Sequence, residues 1–306
     1  MPGMPVRVCY RSKAIQYPLV AAMEETDAWG KAGLDLQYLT FVSGAPQSDP
    51  MLINGDVDFI FGSHISPYLH KANGIPMVYL GQTVNWCDDV LVTRDPLPDI
   101  RLLRGKTLVE RTIERLNHPF GNHKVYLQRG GIDLTEVDWV GSKDAGLEGR
   151  PYQLVADGKA DATFLSPPDD VPARELGLHI TPLPWLPMVQ ATTLTTMWET
   201  TQKRAELCKA IIRAVRMGIT YFKSEKAGMW KVMETKVGPE LEITSDSVLQ
   251  SLWERNCELL DWRLYPRAEA IMNAYRIAVM QDPAVQEQVN PMELWDVHFL
   301  READEE

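Results

Sequence analysis

The sequence predicts an α/β protein of two lobes with a ligand cleft between them, and three observations predict it. The chain of 306 residues is longer than one lobe needs, since domains commonly hold roughly 100 to 150 residues. A pattern of helix, glycine turn and aspartate-containing strand occurs twice. Two extended segments lie where the chain would pass from one lobe to the other and back.

The first α/β unit opens with a strand over residues 5–11, in which apolar residues alternate. Residues 13–16 break that pattern. A helix is then expected, with Pro18 in its first turn and Gly33 at its end. Residues 34–42 form the second predicted strand. Strands that alternate with helices in this way are typical of a parallel sheet.

Similar motifs occur again in the second part of the chain. Gly33–Leu36 is similar to Gly131–Leu134, and Gly55–Phe59 is similar to Gly158–Ala162. In each case a helix ends, a glycine makes the turn and a strand enters the sheet. Short motifs of this kind also recur by chance in unrelated folds, but two correlated matches at similar spacing favour a duplicated lobe.

A Pro-rich stretch after residue 94 and a Thr-rich extended segment after residue 188 are the predicted crossings. The first lobe is expected to comprise residues 1–92 and 195–306, the second lobe residues 98–188, and the hinge crossings residues 93–97 and 189–194. Beyond Trp198 the periodicity is helical, with helices expected over residues 205–222, 248–260 and 268–280. These helices would brace the first lobe.

The net charge of −11 argues against nucleic acid and anionic membrane surfaces as partners, because like charges repel. No apolar run approaches the roughly 20 residues that a membrane-spanning helix needs. Residues 1–8 show neither the apolar core nor the cleavage site of a secretory leader. The sequence as written is expected in the cytoplasm, whereas removal of a leader would place the protein in the periplasm or elsewhere outside the cytoplasm.

The sequence predicts neither a metal nor a cofactor. The four cysteines are Cys9, Cys87, Cys208 and Cys257. Their wide spacing favours buried free thiols over a zinc site. The Gly-rich phosphate-binding, nucleophile-elbow, HExxH and dinucleotide-binding motifs do not occur. His118 and His123 lie close in sequence, but they lack the nearby cysteine or carboxylate pair that would favour a metal.

An ordered set of short motifs resembles the nitrate-, sulfonate- and thiamine-precursor-binding proteins of the type II periplasmic-binding-protein fold. The motifs extend over nearly the whole chain: Gly33–Leu36, Gly55–Phe59, Lys71–Pro76, Leu103–Lys106, Gly131–Leu134 and Asn290–Asp296. The resemblance implies this fold and the function of an ABC-transporter-type solute-binding protein. An ABC permease is the implied partner if the protein is exported.

The same fold also carries a few enzymes, which leaves an alternative function open. The pyrimidine synthase of thiamine biosynthesis has a cysteine run in its crossing segment, but residues 189–194 contain no cysteine. Ser66 stands at the position of that family's active histidine. The dihydroxyphthalate decarboxylase group, cytosolic and of similar length, is compatible with the motifs. The alternative is therefore a cofactor-free aromatic-acid decarboxylase or lyase.

Candidate ligand contacts lie at the carboxyl ends of the predicted strands, where open α/β sheets bind their ligands. They are Arg11, Ser12 and Lys13 after the first strand, Gly62, Ser63, His64 and Ser66 after residues 59–61, and Glu110 and Arg111 after residues 107–109. Trp86, Ser166 and Gln190 lie at comparable strand ends or beside the second crossing. Together they predict a site between the lobes.

The residue types indicate the chemistry of the ligand. Arg11 offers five N–H donors to a carboxylate or sulfonate, although a surface ion pair would explain it equally. Ser63 and Ser66 would bind a ligand oxygen or cap the following helix. His64 would donate a hydrogen bond, and it would be the catalytic proton carrier if the protein is an enzyme. Trp86 would stack on a ring or pack in the core. We expect a small anionic or aromatic organic ligand.

Overall fold

The computed structural model describes residues 3–147 and 149–305, and it divides into two compact units. Unit 1 comprises Met1–Trp86 and Pro187–Glu306, and unit 2 comprises Cys87–Leu186. Each unit has its own sheet. None of the described helices is long and apolar enough to cross a membrane.

The strands and helices have the following bounds. The strands are β1 Met4–Tyr10, β2 Leu34–Phe41, β3 Phe59–Phe61, β4 Met77–Cys87, β5 Val90–Thr93, β6 Thr107–Glu110, β7 Asp138–Gly141, β8 Ala162–Leu165, β9 His179–Pro182 and β10 Leu186–Met197. The helices are α1 Lys13–Glu25, α2 Ala28–Lys31, α3 Ala45–Ile53, α4 Ser66–Ala72, α5 His118–Arg129, α6 Tyr152–Ala156, α7 Asp170–Glu175, α8 Trp198–Lys203, α9 Ala205–Ser224, α10 Lys226–Val232, α11 Gly238–Glu240, α12 Asp246–Leu259, α13 Ala268–Gln281, α14 Val285–Gln288 and α15 His298–Glu305. Short 3₁₀ helices cover Ile100–Leu103, Leu134–Glu136 and Pro291–Leu294, and a π-helical turn covers Met233–Val237.

The described strands of unit 1 form a five-stranded sheet in the order β2-β1-β3-β10-β4. β1 runs parallel to β2 and β3, whereas β10 runs antiparallel to β3. In this register Tyr10 lies opposite both Phe41 and Phe61. Because the three parallel strands end at the same edge of the sheet, the residues that follow them lie close together there.

The described strands of unit 2 form a second five-stranded sheet in the order β7-β6-β8-β5-β9. β6 runs parallel to β7 and β8, whereas β5 runs antiparallel to β8 and β9. The spatial order of the three parallel strands is therefore the same in both units. The predicted α/β class is confirmed, and the two sheets agree with the repeated motifs.

The boundaries of the two units differ from the predicted lobe boundaries. Val90 pairs with Leu165 of β8 and with Pro182 of β9, so β5 belongs to unit 2, although the first lobe was expected to extend to residue 92. Residues 93–97 follow β5 within unit 2. Residues 189–194 lie in β10, inside the sheet of unit 1. The Pro-rich residues after β5 therefore form a surface loop of unit 2 and not a boundary between the units.

The first helix begins earlier than predicted. Ser12 caps it, since its hydroxyl accepts the backbone N–H of Ile15 at 3.4 Å, and residues 13–16 already form the first turn. Pro18 lies inside the helix. The expectation that Pro18 lies in the first helical turn is wrong, because the serine cap starts the helix at Lys13, before the proline.

The core of unit 1 packs α9 against α1. A Cβ added to Gly218 of α9 would lie only 2.4 Å from Met23 Cγ of α1, so the glycine permits close helix contact. The surrounding side chains Leu19, Ile211 and Val215 are fully or almost fully buried. Each contributes about 1.5–3 kcal/mol by leaving water. The predicted helices over residues 205–222, 248–260 and 268–280 are confirmed with small shifts of their ends.

Candidate functional site

Arg11 stands at the strand-end edge of unit 1, directly after β1. Its backbone amide donates to the side-chain oxygen of Gln16 at 2.7 Å and lies 3.3 Å from the carbonyl oxygen of Phe61. Its guanidinium Nη1 donates to Ser63 Oγ at 2.9 Å. The backbone of Arg11 therefore contacts the end of β3, and its charged group bonds to the segment that follows β3.

Gly62 and Ser63 follow β3 with backbone conformations that few residues adopt. Gly62 has φ +121°, and an added Cβ would lie 3.0 Å from Gln16 Nε2 and 3.2 Å from Arg11 Cβ. Ser63 has φ +67° and is 1% exposed. A non-glycine residue in this region costs about 1–3 kcal/mol, and such strain concentrates at functional sites.

Asp49, on α3, is the buried anion next to Ser63. It is 2% exposed. Its carboxylate accepts hydrogen bonds at 3.0 Å from three side chains, Ser48, Ser63 and His70. Burial alone would raise the pKa of Asp49, but hydrogen bonds from His70 and Ser66 and the charge of Arg11 outweigh burial and lower this pKa below its usual value. Asp49 is therefore ionised at neutral pH.

The direction of each hydrogen bond follows from this ionised carboxylate. The Ser63 hydroxyl has one proton and donates it to Asp49, so its oxygen accepts from Arg11. We call this arrangement the Asp49–Ser63–Arg11 relay: a buried carboxylate orients a hydroxyl, and the hydroxyl positions a guanidinium at the sheet edge.

Gln16 holds the loop between β1 and α1. Its side-chain oxygen accepts the backbone N–H groups of Arg11 and Ser12 at 2.7 and 2.9 Å, and its nitrogen donates to the carbonyl of Ala191 at 2.8 Å. Ala191 of β10 has φ +55°, in the left-handed region that residues other than glycine rarely adopt. Gln190, a predicted ligand contact, directly precedes this irregular residue and is half-buried.

His64 is oriented by a chain of polar side chains. Gln82 donates through its amide nitrogen to the backbone carbonyls of Val84, at 2.6 Å, and Gln190. Its oxygen accepts from the Thr193 hydroxyl at 2.6 Å. Because the Thr193 hydroxyl donates its only hydrogen to Gln82, its oxygen accepts a hydrogen bond from His64 Nδ1 at 2.8 Å. The neutral imidazole therefore carries its proton on Nδ1, and Nε2 is then an acceptor.

In unit 2 the predicted residues Glu110 and Ser166 belong to a buried ionic cluster. His123 Nδ1 bonds to Glu110, and His123 Nε2 lies 3.1 Å from Asp89 Oδ2. Ser166 Oγ donates to Asp89 at 2.5 Å. Although burial opposes a charged imidazole, the two carboxylates raise the pKa of His123 to about 10. We call Asp89, His123 and Glu110 the imidazolium cluster.

The remaining predicted contacts have other neighbours. Lys13 forms an ion pair with Glu240 at 2.5 Å. The guanidinium of Arg267 lies 4.7 Å from the ring centre of Trp86. Arg111 is exposed after β6. Lys13 is thus paired with Glu240, and Arg267 covers one face of the Trp86 ring. Neither Lys13 nor Trp86 belongs to the Asp49–Ser63–Arg11 relay.

The serine residues before α4 do not cap it. The N-cap position of α4 is Ile65, without a side-chain cap bond, and Ser66 is the first helical residue. Ser66 Oγ lies 3.4 Å from Ser63 Oγ. Of the two uses that the sequence left open for these hydroxyls, the structure shows a polar cluster around Asp49 instead of a helix cap.

Sequence reasoning missed Asp49 and His70 because both lie on short helices, where nothing local marks a polar residue as buried. The sequence also does not single out Asp89, and it pairs His123 with His118 instead of with Glu110. The four cysteines are free thiols, as predicted, with Cys257 only partly buried. Within residues 3–147 and 149–305, no group of three or more His, Cys, Asp and Glu side chains is arranged to hold a metal ion.

No protein-family model matches the chain, and no curated protein matches it. Solved structures do match. The periplasmic aliphatic sulphonate binding protein SsuA from Escherichia coli has a TM-score of 0.68 at 14% identity, over 95% of this chain and 97% of its own.

Two further matches have comparable extent. The alkanesulfonate-binding protein SsuA from Xanthomonas axonopodis pv. citri, bound to MOPS, has a TM-score of 0.62 at 13% identity, over 97% of this chain and 99% of its own. A cysteine-to-serine mutant of DSZB in complex with biphenyl-2-sulfinic acid has a TM-score of 0.64 at 17% identity, over 98% of this chain and 99% of its own. At such identities the similarity establishes the fold, and the predicted two-lobed periplasmic-binding-protein fold is confirmed.

Proposed function

We propose that this protein reversibly binds a small organic molecule through a carboxylate or sulfonate group, and that Arg11 receives the oxyanion. The observation that carries the proposal is the Asp49–Ser63–Arg11 relay at the strand-end edge of unit 1. In α/β sheets this edge is where ligands bind. A guanidinium held there by its neighbours has little conformational freedom to lose when the ligand arrives.

The electrostatics of the loop around Arg11 also favour an anion. The planar guanidinium presents its N–H donors in a fork that matches the oxygens of a carboxylate or sulfonate. The N-terminus of α1, a helix of 13 residues, begins two residues later and adds a partial positive charge. Although the chain has a net charge of −11, the Arg11 guanidinium and the N-terminus of α1 make this loop locally positive. The loop therefore favours negatively charged ligands.

The named ligands of the structural neighbours agree with this class. Two of the matching proteins are described as binding aliphatic sulphonates or alkanesulfonates, and another was solved with a sulfinic acid. Each of these groups presents negatively charged oxygens. The comparison therefore supports an oxyanion as the group that Arg11 would bind, and the carboxylate shares the same hydrogen-bonding pattern.

The position of the ligand in a cleft between the two lobes stays a prediction, as do the contributions of Glu110, Arg111 and Ser166. If the protein is exported, we infer a periplasmic role as the receptor of an ABC import system, with a permease as partner. Within the described residues no contact favours the decarboxylase alternative, and we propose binding alone.

Isothermal titration calorimetry with benzenesulfonate, benzoate and the uncharged analogue benzyl alcohol tests the proposal. We expect the two anions to bind and the alcohol to bind far more weakly. Arg11→Gln should lower affinity for the anions about 10- to 100-fold, since a hydrogen bond to a charged group contributes about 1.5–3 kcal/mol. Arg174→Gln is the matched control, because Arg174 is a surface arginine paired with Asp170 in unit 2.

Mass spectrometry of the recovered ligand separates binding from catalysis. We expect benzoate and benzenesulfonate to be recovered from the protein without any chemical change. Equal affinity of Arg11→Gln and the unmodified protein for both anions would contradict the proposed site, and conversion of either ligand would contradict the proposed function.

A further inference from the structure

An asparagine is followed by a glycine at two places in the chain, and each pair directly follows a short helix of unit 1. Asn54 and Gly55 follow α3, and Asn73 and Gly74 follow α4. All four residues are exposed. Asparagine is a chemically labile residue. Glycine after it increases the lability, because a residue without a Cβ leaves its backbone nitrogen open to the preceding side chain.

The two helix ends have nearly the same backbone. Asn54 and Asn73 are the C-cap residues, with φ −80° and −96°, and each following glycine has φ +77°. Each glycine N–H donates to a carbonyl oxygen in the last turn of its helix, at 3.1 Å for Gly55 and 3.0 Å for Gly74. The last turn must therefore open before either nitrogen can react, and helix ends open readily. This requirement is the same at both sites.

The side chains of the two asparagines have different contacts. Asn73 Nδ2 donates to the backbone carbonyl of Leu69 at 2.8 Å, so this amide is held against α4. The Asn54 side chain makes no hydrogen bond with the residues that the structure describes. Asn54 can therefore turn toward the nitrogen of Gly55 as soon as the last turn opens, whereas Asn73 must also lose a hydrogen bond.

We propose that Asn54 is a site of spontaneous modification, at which the backbone nitrogen of Gly55 attacks the side-chain amide carbon of Asn54. A bond forms between this nitrogen and Asn54 Cγ, the nitrogen loses its proton, and Nδ2 leaves as ammonia, which gives a cyclic imide. Water then opens the ring at either of its two carbonyls. The products are aspartate and isoaspartate, and in isoaspartate the backbone is longer by one methylene group.

Asn54 lies in the connection between the two residues that hold the relay together. Asp49 precedes it on α3, and Ser63 follows it after β3. The turn between α3 and β3 is closed by the backbone N–H of Asp56, which donates to the carbonyl of Met51 at 2.8 Å. An additional methylene group at Asn54 would disrupt this turn and displace Asp49 from Ser63. Isoaspartate should therefore weaken oxyanion binding, a consequence that rests on the proposed function.

Peptide mapping by mass spectrometry of the full chain, kept folded at pH 8, tests the site. We expect ammonia loss and ring opening about 2- to 12-fold faster at Asn54 than at Asn73, the factor that corresponds to one typical hydrogen bond. In concentrated urea the two rates should become equal, because the helix contacts that distinguish the sites are lost. Asn54→Gln should remove most of the modification, whereas the matched control Asn73→Gln should not. Equal rates in the folded protein, or a difference that persists in urea, would refute the site.

Ion exchange separates the modified protein, which carries an additional negative charge. In titration calorimetry with benzenesulfonate, the isoaspartate fraction should bind about 2- to 12-fold more weakly than fresh protein, since the loss corresponds to one hydrogen bond of the relay. Asn54→Asp is the matched control, because it carries the same charge on a backbone of normal length, and it should bind as fresh protein does. Equal affinity of the isoaspartate fraction and fresh protein would overturn the link to the relay. If fresh protein does not bind benzenesulfonate, the proposed function fails, but the rates at Asn54 and Asn73 still decide the modification site.

Discussion

Ser63 Oγ donates to Asp49 Oδ1 at 3.0 Å from a backbone with φ +67°, so a strained residue is held in place by a buried carboxylate. The same hydroxyl accepts from the Arg11 guanidinium. Ser63 thus combines a strained backbone with a side chain that bonds to both Asp49 and Arg11. This relationship makes the relay sensitive to changes that would be mild elsewhere.

Ser63→Ala and Ser63→Gly separate the hydroxyl from the backbone strain. Both remove the relay, so both should lower affinity for benzenesulfonate about 2- to 12-fold, since the hydroxyl only positions Arg11 and a typical hydrogen bond contributes about 0.5–1.5 kcal/mol. Ser63→Gly should be more stable to urea than Ser63→Ala, because glycine adopts positive φ without strain. Unchanged affinity in both variants would show that the hydroxyl does not position Arg11.

Gly62→Ala should destabilise unit 1 and weaken ligand binding together. The residue has φ +121°, and its new Cβ would press on Gln16 and Arg11 at 3.0 and 3.2 Å. Gly55→Ala is the matched control, because Gly55 also has positive φ, +77°, but nothing lies within 4 Å of the added Cβ. We expect a loss of about 1–3 kcal/mol for strained backbone in both variants, and reduced affinity only for Gly62→Ala. Equal affinity in the two variants would contradict the close approach.

Asp49 should make stability depend on acidity. Its pKa is lowered in the folded protein, so its contribution is present above the unfolded pKa of about 3.9 and is lost as pH falls through the lower folded value. Urea unfolding between pH 6 and pH 2.5 should show this loss. Asp49→Asn should be less stable than the unmodified protein at pH 6, and the difference should shrink toward pH 2.5. A constant difference across that range would contradict an ionised Asp49.

His123 should make the protein less stable as the pH rises, whereas Asp49 makes it less stable as the pH falls. Its folded pKa is raised to about 10, so its contribution is fully present below the unfolded value of about 6.5 and is lost as pH rises through about 10. At pH 7, His123→Gln should cost about 3–5 kcal/mol, because two buried carboxylates lose their cation. Urea unfolding of this variant and of the control His179→Gln, a half-buried histidine of β9, measures the difference. A small cost at pH 7, similar to that of the control, would exclude the charged cluster.

Nuclear magnetic resonance gives an independent reading of the same group. The ring nitrogen signals of His123 should remain those of the charged form at pH 8, well above the pH at which an ordinary histidine has lost its proton. Loss of the charged form by pH 7 would contradict the imidazolium cluster.

Much of the fold could be predicted because its signals are local. Alternating apolar residues mark β1, and glycine turns such as Gly33 and Gly131 end helices at fixed places in both units. The strand-end rule predicts Arg11 and Ser63 at one edge of the sheet, and the Arg11 guanidinium donates to Ser63 Oγ there. The sequence predicts a later start of α1 because Pro18 is a residue that often opens a helix. The structure shows that Ser12, a favourable N-cap residue, starts the helix at Lys13.

The rest of the site depends on contacts that the sequence does not encode locally. Asp49 reaches Ser63 across 14 residues, and Asp89 reaches His123 across 34. Polar residues lie next to both Asp49 and Asp89 in the sequence. The spacing therefore shows neither that these two carboxylates are buried nor which side chains they contact. Likewise, β5 joins unit 2 through pairing with β8 and β9, and this pairing outweighs the proline-rich stretch that the sequence presents as a boundary.

A crystal structure of the protein with benzenesulfonate tests the central claim most directly. The account predicts a sulfonate oxygen within about 2.7–3.2 Å of the Arg11 guanidinium nitrogens, with the Ser63 hydroxyl still bonded to Asp49. A bound benzenesulfonate that makes no contact with Arg11 would contradict it.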